Sequence, residues 1–246
     1  MKYPIGIQTF SRIRENGYVY IDKTALIHQL VSRGSIYFLS RPRRFGKSLM
    51  ISTLEAYYEG RKELFEGLAI AGLEKDWFQY PVFHIDFNGD NFAKEGVLEA
   101  AIEGYLGNWE DMYGKNPNYT TPGTRFIELL RRASEKTGRR AVVLVDEYDK
   151  PILDVLDTPL EEENRNTLKA FYSTFKGADK YLQFVMLTGV TNFRKSVSSA
   201  VSTSLKISVW TRVMNHCAES PRRKWSVISM NLFPSWPKKT NARMRK

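Results

Sequence analysis

The feature that most limits how this chain can fold is the segment RAVVLVDE. In it, an unbroken apolar run from Ala141 to Val145 ends in the carboxylates of Asp146 and Glu147. An apolar run without polar alternation is typical of a strand that is covered on both faces. Such a strand needs helices on each side of its sheet. The segment therefore predicts a parallel sheet between two helical layers.

Other segments with strand character alternate with helical patterns. SIYFLS, PVFHIDF and LQFVMLTG predict buried strands, and GYVYID near the N-terminus predicts a short one. Apolar residues at helical spacing predict helices over about 23–32, 47–58, 92–107, 123–137 and 160–176. Asp22 is expected to cap the first of these helices, and Thr121 with Pro122 to begin the fourth. The alternation predicts an α/β fold, a three-layer sandwich with a mostly parallel sheet and right-handed crossovers.

The loop RPRRFGKS leaves the strand SIYFLS and enters the helix predicted over about 47–58. This context suits a phosphate-binding P-loop, whose backbone N–H groups and helix N-terminus hold phosphate oxygens. Lys47 is expected to reach the β and γ phosphates of ATP, and the Ser48 hydroxyl to bind Mg²⁺. The residues expected to contact the nucleotide are Arg43, Arg44, Phe45, Gly46, Lys47, Ser48 and Leu49. Because Arg41 stands where the usual pattern has its first glycine, a basic helix N-terminus at the surface is the alternative interpretation.

The two carboxylates at the end of RAVVLVDE favour the nucleotide interpretation. Downstream of a Lys-Ser loop, they predict Asp146 as the Mg²⁺ ligand, directly or through water, and Glu147 as the group that polarises the attacking water. PVFHIDF supplies a strand between the two motifs, as in the additional-strand, catalytic-glutamate division of P-loop NTPases. An acidic pair that only caps a turn is the alternative.

Thr188 ends the strand LQFVMLTG and is placed like a polar sensor of the γ-phosphate, so it joins Lys47 and Glu147 as a predicted catalytic residue. A threonine that simply ends a strand beside Gly189 is an equal alternative. Asp149 has two interpretations as well. It either supports the metal ligands from outside or starts the next turn.

Several segments resemble, in order, the bacterial AAA-ATPase-like family: IGIQTF, YIDKT, FLSRPRRFGKSL, ELFEGLAI, VVLVDEYDKP and LTGVTNF. The resemblance covers about residues 4–194, and RPRRFGKS is the family's own form of the loop. It implies ATP binding by Lys47 and Ser48, with Asp146 and Glu147 at the metal, and ATP hydrolysis in the intact parent protein. Members of the family often carry a PD-(D/E)XK nuclease-like domain farther along the chain.

The segment 195–246 differs from the rest. It carries the whole net charge of +10, with Glu219 as its one acidic residue, whereas residues 1–194 hold equal numbers of basic and acidic residues. No apolar periodicity persists there, which predicts a disordered basic tail. Reading the back-translated segment one base earlier permits an acidic, family-like open frame, so we expect a frameshift near codons 194–196. The domain over 1–194 would then be incomplete on its C-terminal side.

The remaining features limit the surroundings in which the chain works. It has no apolar run long enough for a membrane helix, no secretory leader and a single cysteine, Cys217, which together favour the cytoplasm. His28 and His84 lack ligand spacing and are predicted to be structural. A nucleotide-binding switch, an inactive fragment and a basic nucleic-acid-binding protein are the alternatives. Nucleic acid is expected as a partner only through a lost nuclease-like domain, and a homo-oligomer is left open.

Overall fold

The computed structural model describes residues 1–190. Within that range the strands are β1 Ile36–Ser40, β2 Val82–Asp86, β3 Ala141–Asp146 and β4 Leu182–Gly189. The helices are α1 Phe10–Glu15, α2 Thr24–Arg33, α3 Lys47–Tyr58, α4 Ala69–Leu73, α5 Val97–Tyr113, α6 Pro122–Thr137, α7 Lys150–Leu153 and α8 Leu160–Ser173. Short 3₁₀ turns are formed by Lys62–Phe65, Phe87–Gly89, Thr174–Lys176 and Asp179–Tyr181.

The strands of the described range form one parallel sheet in the order β1-β4-β3-β2. Ser40 pairs with Gly189 and Asp86 pairs with Asp146, so the carboxyl ends of the strands lie along one edge of the sheet. The strand between β1 and β3 in space is β4, which carries Thr188. The segment PVFHIDF, which forms β2, lies instead on the far side of β3. The prediction that PVFHIDF is the additional strand between the two motif strands is therefore wrong: it lies between them in the sequence, but in the sheet that place is taken by β4.

The sheet separates two packed layers. On one face, Val143 and Val145 of β3 belong to a buried apolar cluster with residues of α5, α6 and α8, among them Phe126. On the other face, Tyr58 of α3 packs against Phe184 of β4, with ring centroids 5.1 Å apart. Every residue of β3 is buried, as expected for a strand covered on both faces. The predicted three-layer P-loop NTPase-like α/β fold is confirmed.

The helix predictions hold best where a local signal fixes the boundary. α3 spans the predicted residues, and α6 begins with Pro122 behind Thr121, whose hydroxyl accepts a hydrogen bond from the N–H of Thr124 at 3.4 Å. Asp22 accepts from the N–H and the hydroxyl of Thr24, the first residue of α2. These contacts satisfy donors that a helix N-terminus leaves without helical partners.

Two element predictions are wrong. GYVYID forms no strand, because its pairing is limited to a single bridge between Lys2 and Tyr18, and no neighbouring strand continues the ladder. The helix predicted from about 92 begins at Val97, because Gly96 adopts a left-handed φ of 74°, which a continuous helix cannot contain. It then runs on to Tyr113.

The helix predicted over about 160–176 ends at Ser173 and continues as a 3₁₀ turn over Thr174–Lys176. In the described range, no helix is both long enough and apolar enough to cross a membrane. The predicted tail over 195–246 lies outside the described residues.

Candidate functional site

The loop from β1 to α3 contains two left-handed residues. Arg44 has a φ of 67° and Gly46 a φ of 75°. This conformation suits glycine, whereas in an arginine it costs on the order of 1–3 kcal/mol and persists only where the surroundings hold it. Gly46 directly precedes α3, and its carbonyl accepts from the N–H of Met50 at 3.0 Å. This 12-residue helix follows a strained loop, and its first-turn N–H groups are of the kind that suit an anion.

Lys47 is the first residue of α3, and it is buried. Its Nζ lies 3.1 Å from Oε1 of Glu147, with side-chain exposures of 3% for the lysine and 14% for the glutamate. Because a buried ammonium without a partner is costly, the carboxylate of Glu147 stabilises it. The structure thus joins the ends of the two sequence motifs at the carboxyl edge of the sheet.

Glu147 has an unusual backbone. Its φ is 51°, and its N–H donates to Oδ1 of Asp146 at 3.0 Å. The non-glycine residues with positive φ in the described range are Arg44, Glu147 and Asp157. Two of these three therefore lie at the same site, as is typical of strained residues with a functional role.

Thr188 is fully buried and donates its hydroxyl hydrogen bond to Oδ1 of Asp146. This oxygen thus accepts from both Thr188 and the backbone of Glu147, which fixes the orientation of the carboxylate. The second oxygen, Oδ2, makes no hydrogen bond within residues 1–190. The geometry supports a role for Thr188 in orienting Asp146, which differs from the predicted sensing of the γ-phosphate.

The turn after Glu147 is bound to the end of β4. The N–H of Tyr148 donates to the carbonyl of Thr188 at 2.9 Å, and the N–H of Val190 donates to Oδ2 of Asp149 at 2.9 Å. Gly189 lies between Thr188 and Val190, which make these two hydrogen bonds. The backbone at Gly189 is therefore held close to the turn after Glu147.

The predicted nucleotide contacts fall into two groups. Arg43, Arg44, Phe45 and Gly46 are exposed on the loop, whereas Ser48 and Leu49 are half-buried in the first turn of α3. The side chain of Ser48 makes no hydrogen bond to Asp146 or to any other residue of the described range. The close approach at Gly189 was not predicted from the sequence. The available signal was a glycine that directly follows Thr188 at the end of a buried strand.

The donor set suits Mg²⁺ without forming a protein cage. Mg²⁺ prefers oxygen ligands and usually takes one or two from the protein, the rest coming from phosphate and water. The hydroxyl of Ser48 and Oδ2 of Asp146 are oxygen atoms of the type that Mg²⁺ prefers. Within the described residues, no group of three or more His, Cys, Asp or Glu side chains could hold a metal by itself. These residues therefore fit an ion held jointly with the phosphates of a nucleotide.

His84, predicted to be structural, lies on β2 and pairs with α3. Its Nδ1 lies 3.0 Å from Oε1 of Glu55. Burial lowers the pKa of His84. The hydrogen bond to Glu55 and the negative charges of Glu55, Asp86 and Asp146 together outweigh burial and raise this pKa above its ordinary value.

Comparison with known proteins gives one family. Residues 4–198 match the AAA-ATPase-like family, described as "Predicted AAA-ATPase". An "Uncharacterized protein in vnfD 5'region" of Azotobacter chroococcum mcd 1 is 44% identical over 220 residues, which cover 88% of this chain and 42% of that protein. The chain thus spans less than half the length of this relative. No solved structure matches the chain significantly.

Proposed function

We propose that this chain, which belongs to the AAA-ATPase-like family, binds ATP with Mg²⁺ through the loop 41–48 and hydrolyses it with Glu147. The observation that carries the proposal is the 3.1 Å contact between Lys47 and Glu147 at the carboxyl edge of a parallel sheet. Ligands of open α/β sheets bind at this edge. The family assignment supports nucleotide binding, and the geometry supports the choice of residues.

Each residue has a distinct proposed task. The loop and the N-terminus of α3 hold the phosphates, and Lys47 neutralises charge on the β and γ groups. Ser48 and Asp146 would hold Mg²⁺, which when bound neutralises phosphate charge. Thr188 keeps Asp146 oriented. Glu147 polarises a water molecule and accepts its proton while the water oxygen bonds to the γ-phosphorus in line. The bond from this phosphorus to the bridging oxygen of the β-phosphate breaks, so ADP and inorganic phosphate are released.

A nucleotide-binding switch with little turnover is the second candidate. It is favoured by the same contact, because Lys47 engages the carboxylate that would have to polarise water. In a switch, ATP would stabilise the protein while phosphate release stayed slow. In an ATPase, both would be observed.

The rest of the protein's role stays a proposal, since the chain spans only part of its relative. The nuclease-like domain, nucleic-acid binding through it and a homo-oligomer belong here, as does the frameshift near codons 194–196. A match over 88% of the chain extends beyond residue 194, which weighs against so early a change of frame. If resequencing of the locus finds no adjacent family-like reading frame, the proposed frameshift is refuted.

The decisive experiment is nucleotide binding by Lys47→Ala. With Mg²⁺ and a non-hydrolysable ATP analogue, calorimetry should show at least a tenfold weaker affinity than in the wild type, because the buried cation facing the phosphates is lost. The matched control is Lys180→Ala, an exposed lysine just ahead of β4 and so at the opposite end of the sheet, which should bind normally. Equal affinity in Lys47→Ala and the wild type would refute the site.

A further inference from the structure

The end of β4 is hydrogen-bonded to both neighbouring strands at once. On the side of β1, the carbonyl of Gly189 accepts from the N–H of Arg41 at 3.0 Å. On the side of β3, the carbonyl of Thr188 accepts from the N–H of Tyr148. The N–H of Val190 adds a further bond on the side of β3, since it donates to the carboxylate of Asp149. The start of the phosphate loop and the turn after Glu147 therefore share one anchor.

Asp149 is the side chain that completes this anchor. It is fully buried, and a buried carboxylate is costly unless hydrogen bonds compensate for its lost hydration. It directly precedes α7 but makes no side-chain capping bond to that helix. Its carboxylate instead reaches across to the N–H of Val190. The side chain therefore links the turn after β3 to the end of β4 and does not cap α7.

Gly189 makes the close approach between these ends sterically tolerable. A Cβ at this position would lie 2.4 Å from the ring of Tyr148 and 2.5 Å from Oδ1 of Asp149. Tyr148 is held on a further side by Phe38 of β1, with ring centroids 4.9 Å apart at 85°. The two residues that follow Glu147 are thus packed directly on the backbone of β4.

This packing bears on Glu147, whose own conformation is strained. A positive φ in a glutamate persists only if the surrounding structure holds it. The carbonyl of Glu147 also accepts from the N–H of Lys150 at 2.9 Å, which closes the turn that contains Asp149.

We propose that Asp149 is a positioning residue, which fixes the water-polarising Glu147 by tying its turn to Val190 at the end of β4. The inference rests on the proposed ATPase function and deepens it. In this role Asp149 acts through Glu147 and does not itself bind the nucleotide. Its loss lets the turn relax, which moves the carboxylate of Glu147 while the phosphate loop still binds.

The test compares Asp149→Ala, Asp149→Asn and the control Asp154→Ala in ATP turnover. Asp154 lies at the end of the same short helix, but it bonds Lys150 and Phe92 and not β4. Asp149→Ala should lower kcat at least tenfold without raising KM. Asp149→Asn should keep most of the turnover, because its amide oxygen can still accept from Val190. Asp154→Ala should lower Tm but leave kcat within about twofold, since a loss of stability alone does not move Glu147.

A double-mutant cycle separates positioning from general damage. In a Glu147→Gln background, Asp149→Ala should change neither residual turnover nor analogue affinity, because the residue it positions is gone. Additive effects would overturn the inference, as would unchanged kcat in Asp149→Ala or an equal loss of kcat in Asp154→Ala.

A measurement on the wild type covers the case in which Asp149→Ala does not fold. The amides of Tyr148 and Val190 should resist hydrogen exchange as strongly as the central amides of β3, and rapid exchange of either would refute the anchor. Failure of the proposed function gives a different pattern, in which the wild type itself binds no ATP, and the inference then falls with it.

Discussion

Two buried ion pairs of the same charge type lie in different regions of this molecule and are built differently. Between α5 and α6, Arg125 donates from Nε and Nη2 to the two oxygens of Glu110 at 2.7 and 3.0 Å, and from Nη1 to Glu103. At the carboxyl edge of the sheet, Lys47 makes one contact with Glu147. Arg125 binds Glu110 through two hydrogen bonds and Glu103 through a third. Lys47 makes a single contact, and its partner Glu147 has a strained backbone.

The difference separates a permanent contact from an exchangeable one. A planar guanidinium fixed by several carboxylate oxygens has few other ways to satisfy its donors. A lysine ammonium is a compact charge on a flexible stem, and phosphate oxygens can replace the carboxylate. We therefore expect the pair of Arg125 with Glu110, the helical pair, to contribute stability. The pair of Lys47 with Glu147, the site pair, should respond to nucleotide.

The largest effect is expected when the helical pair is broken. Arg125→Ala leaves the buried Glu110 with only the exposed Lys115, whose Nζ lies 3.7 Å away, and should lower the free energy of unfolding by about 3–5 kcal/mol. Arg61→Ala, which removes exposed pairs with Glu15 and Glu63, should cost less than about 1 kcal/mol. Chemical denaturation measures both. A loss below 1 kcal/mol in Arg125→Ala would remove the distinction between the two pairs.

A smaller effect of a different kind is expected at the site. Glu147→Gln removes the carboxylate that competes with phosphate for Lys47, so a non-hydrolysable ATP analogue should bind about tenfold more tightly, which is about 1.4 kcal/mol. The nucleotide-free protein should lose a similar amount of stability, since Lys47 is then buried without a charged partner. The control Glu163→Gln, on an exposed position of α8, should change neither quantity. Weaker or unchanged binding in Glu147→Gln would show that the site pair is not exchangeable.

The smallest effect concerns the half-buried pair of His84 and Glu55. Because the pKa of His84 is raised in the folded protein, the pair contributes stability that is fully present below about pH 6.5 and is lost as the pH rises through the raised pKa. Glu55→Gln should therefore cost up to about 1 kcal/mol near pH 6 and close to nothing near pH 9. Urea denaturation at the two pH values checks this, and an equal cost at both would contradict the pairing. The negative charges of Asp86 and Asp146 also raise the pKa of His84, so part of the shift should survive the substitution.

The accuracy of the sequence predictions depended on how local each signal was. The bounds of α3 and β4 follow from apolar spacing and flanking polar residues, and the structure confirms them. GYVYID carries an equally local strand pattern but forms none, since a strand exists only where another strand pairs with it. The start of α5 depended on a glycine conformation that the apolar pattern does not encode.

The candidate site shows the same division. Motif and context predicted roles for Lys47, Asp146 and Glu147, and the structure brings Lys47 into contact with Glu147. Asp149 was ambiguous, because nothing local indicates that its carboxylate reaches Val190. The importance of Gly189 depends on the ring of Tyr148, which the chain brings against it from another strand.

The sequence by itself determined the α/β fold class and the residue types available for nucleotide chemistry, because apolar periodicity and strand-to-helix loops are properties of short segments. Only the tertiary structure decided that β4 lies between β1 and β3, that Lys47 meets Glu147, and that Asp149 binds the end of β4. Strand order and register arise from the packing of the whole sheet. Contacts between distant segments therefore become visible only when every layer is in place.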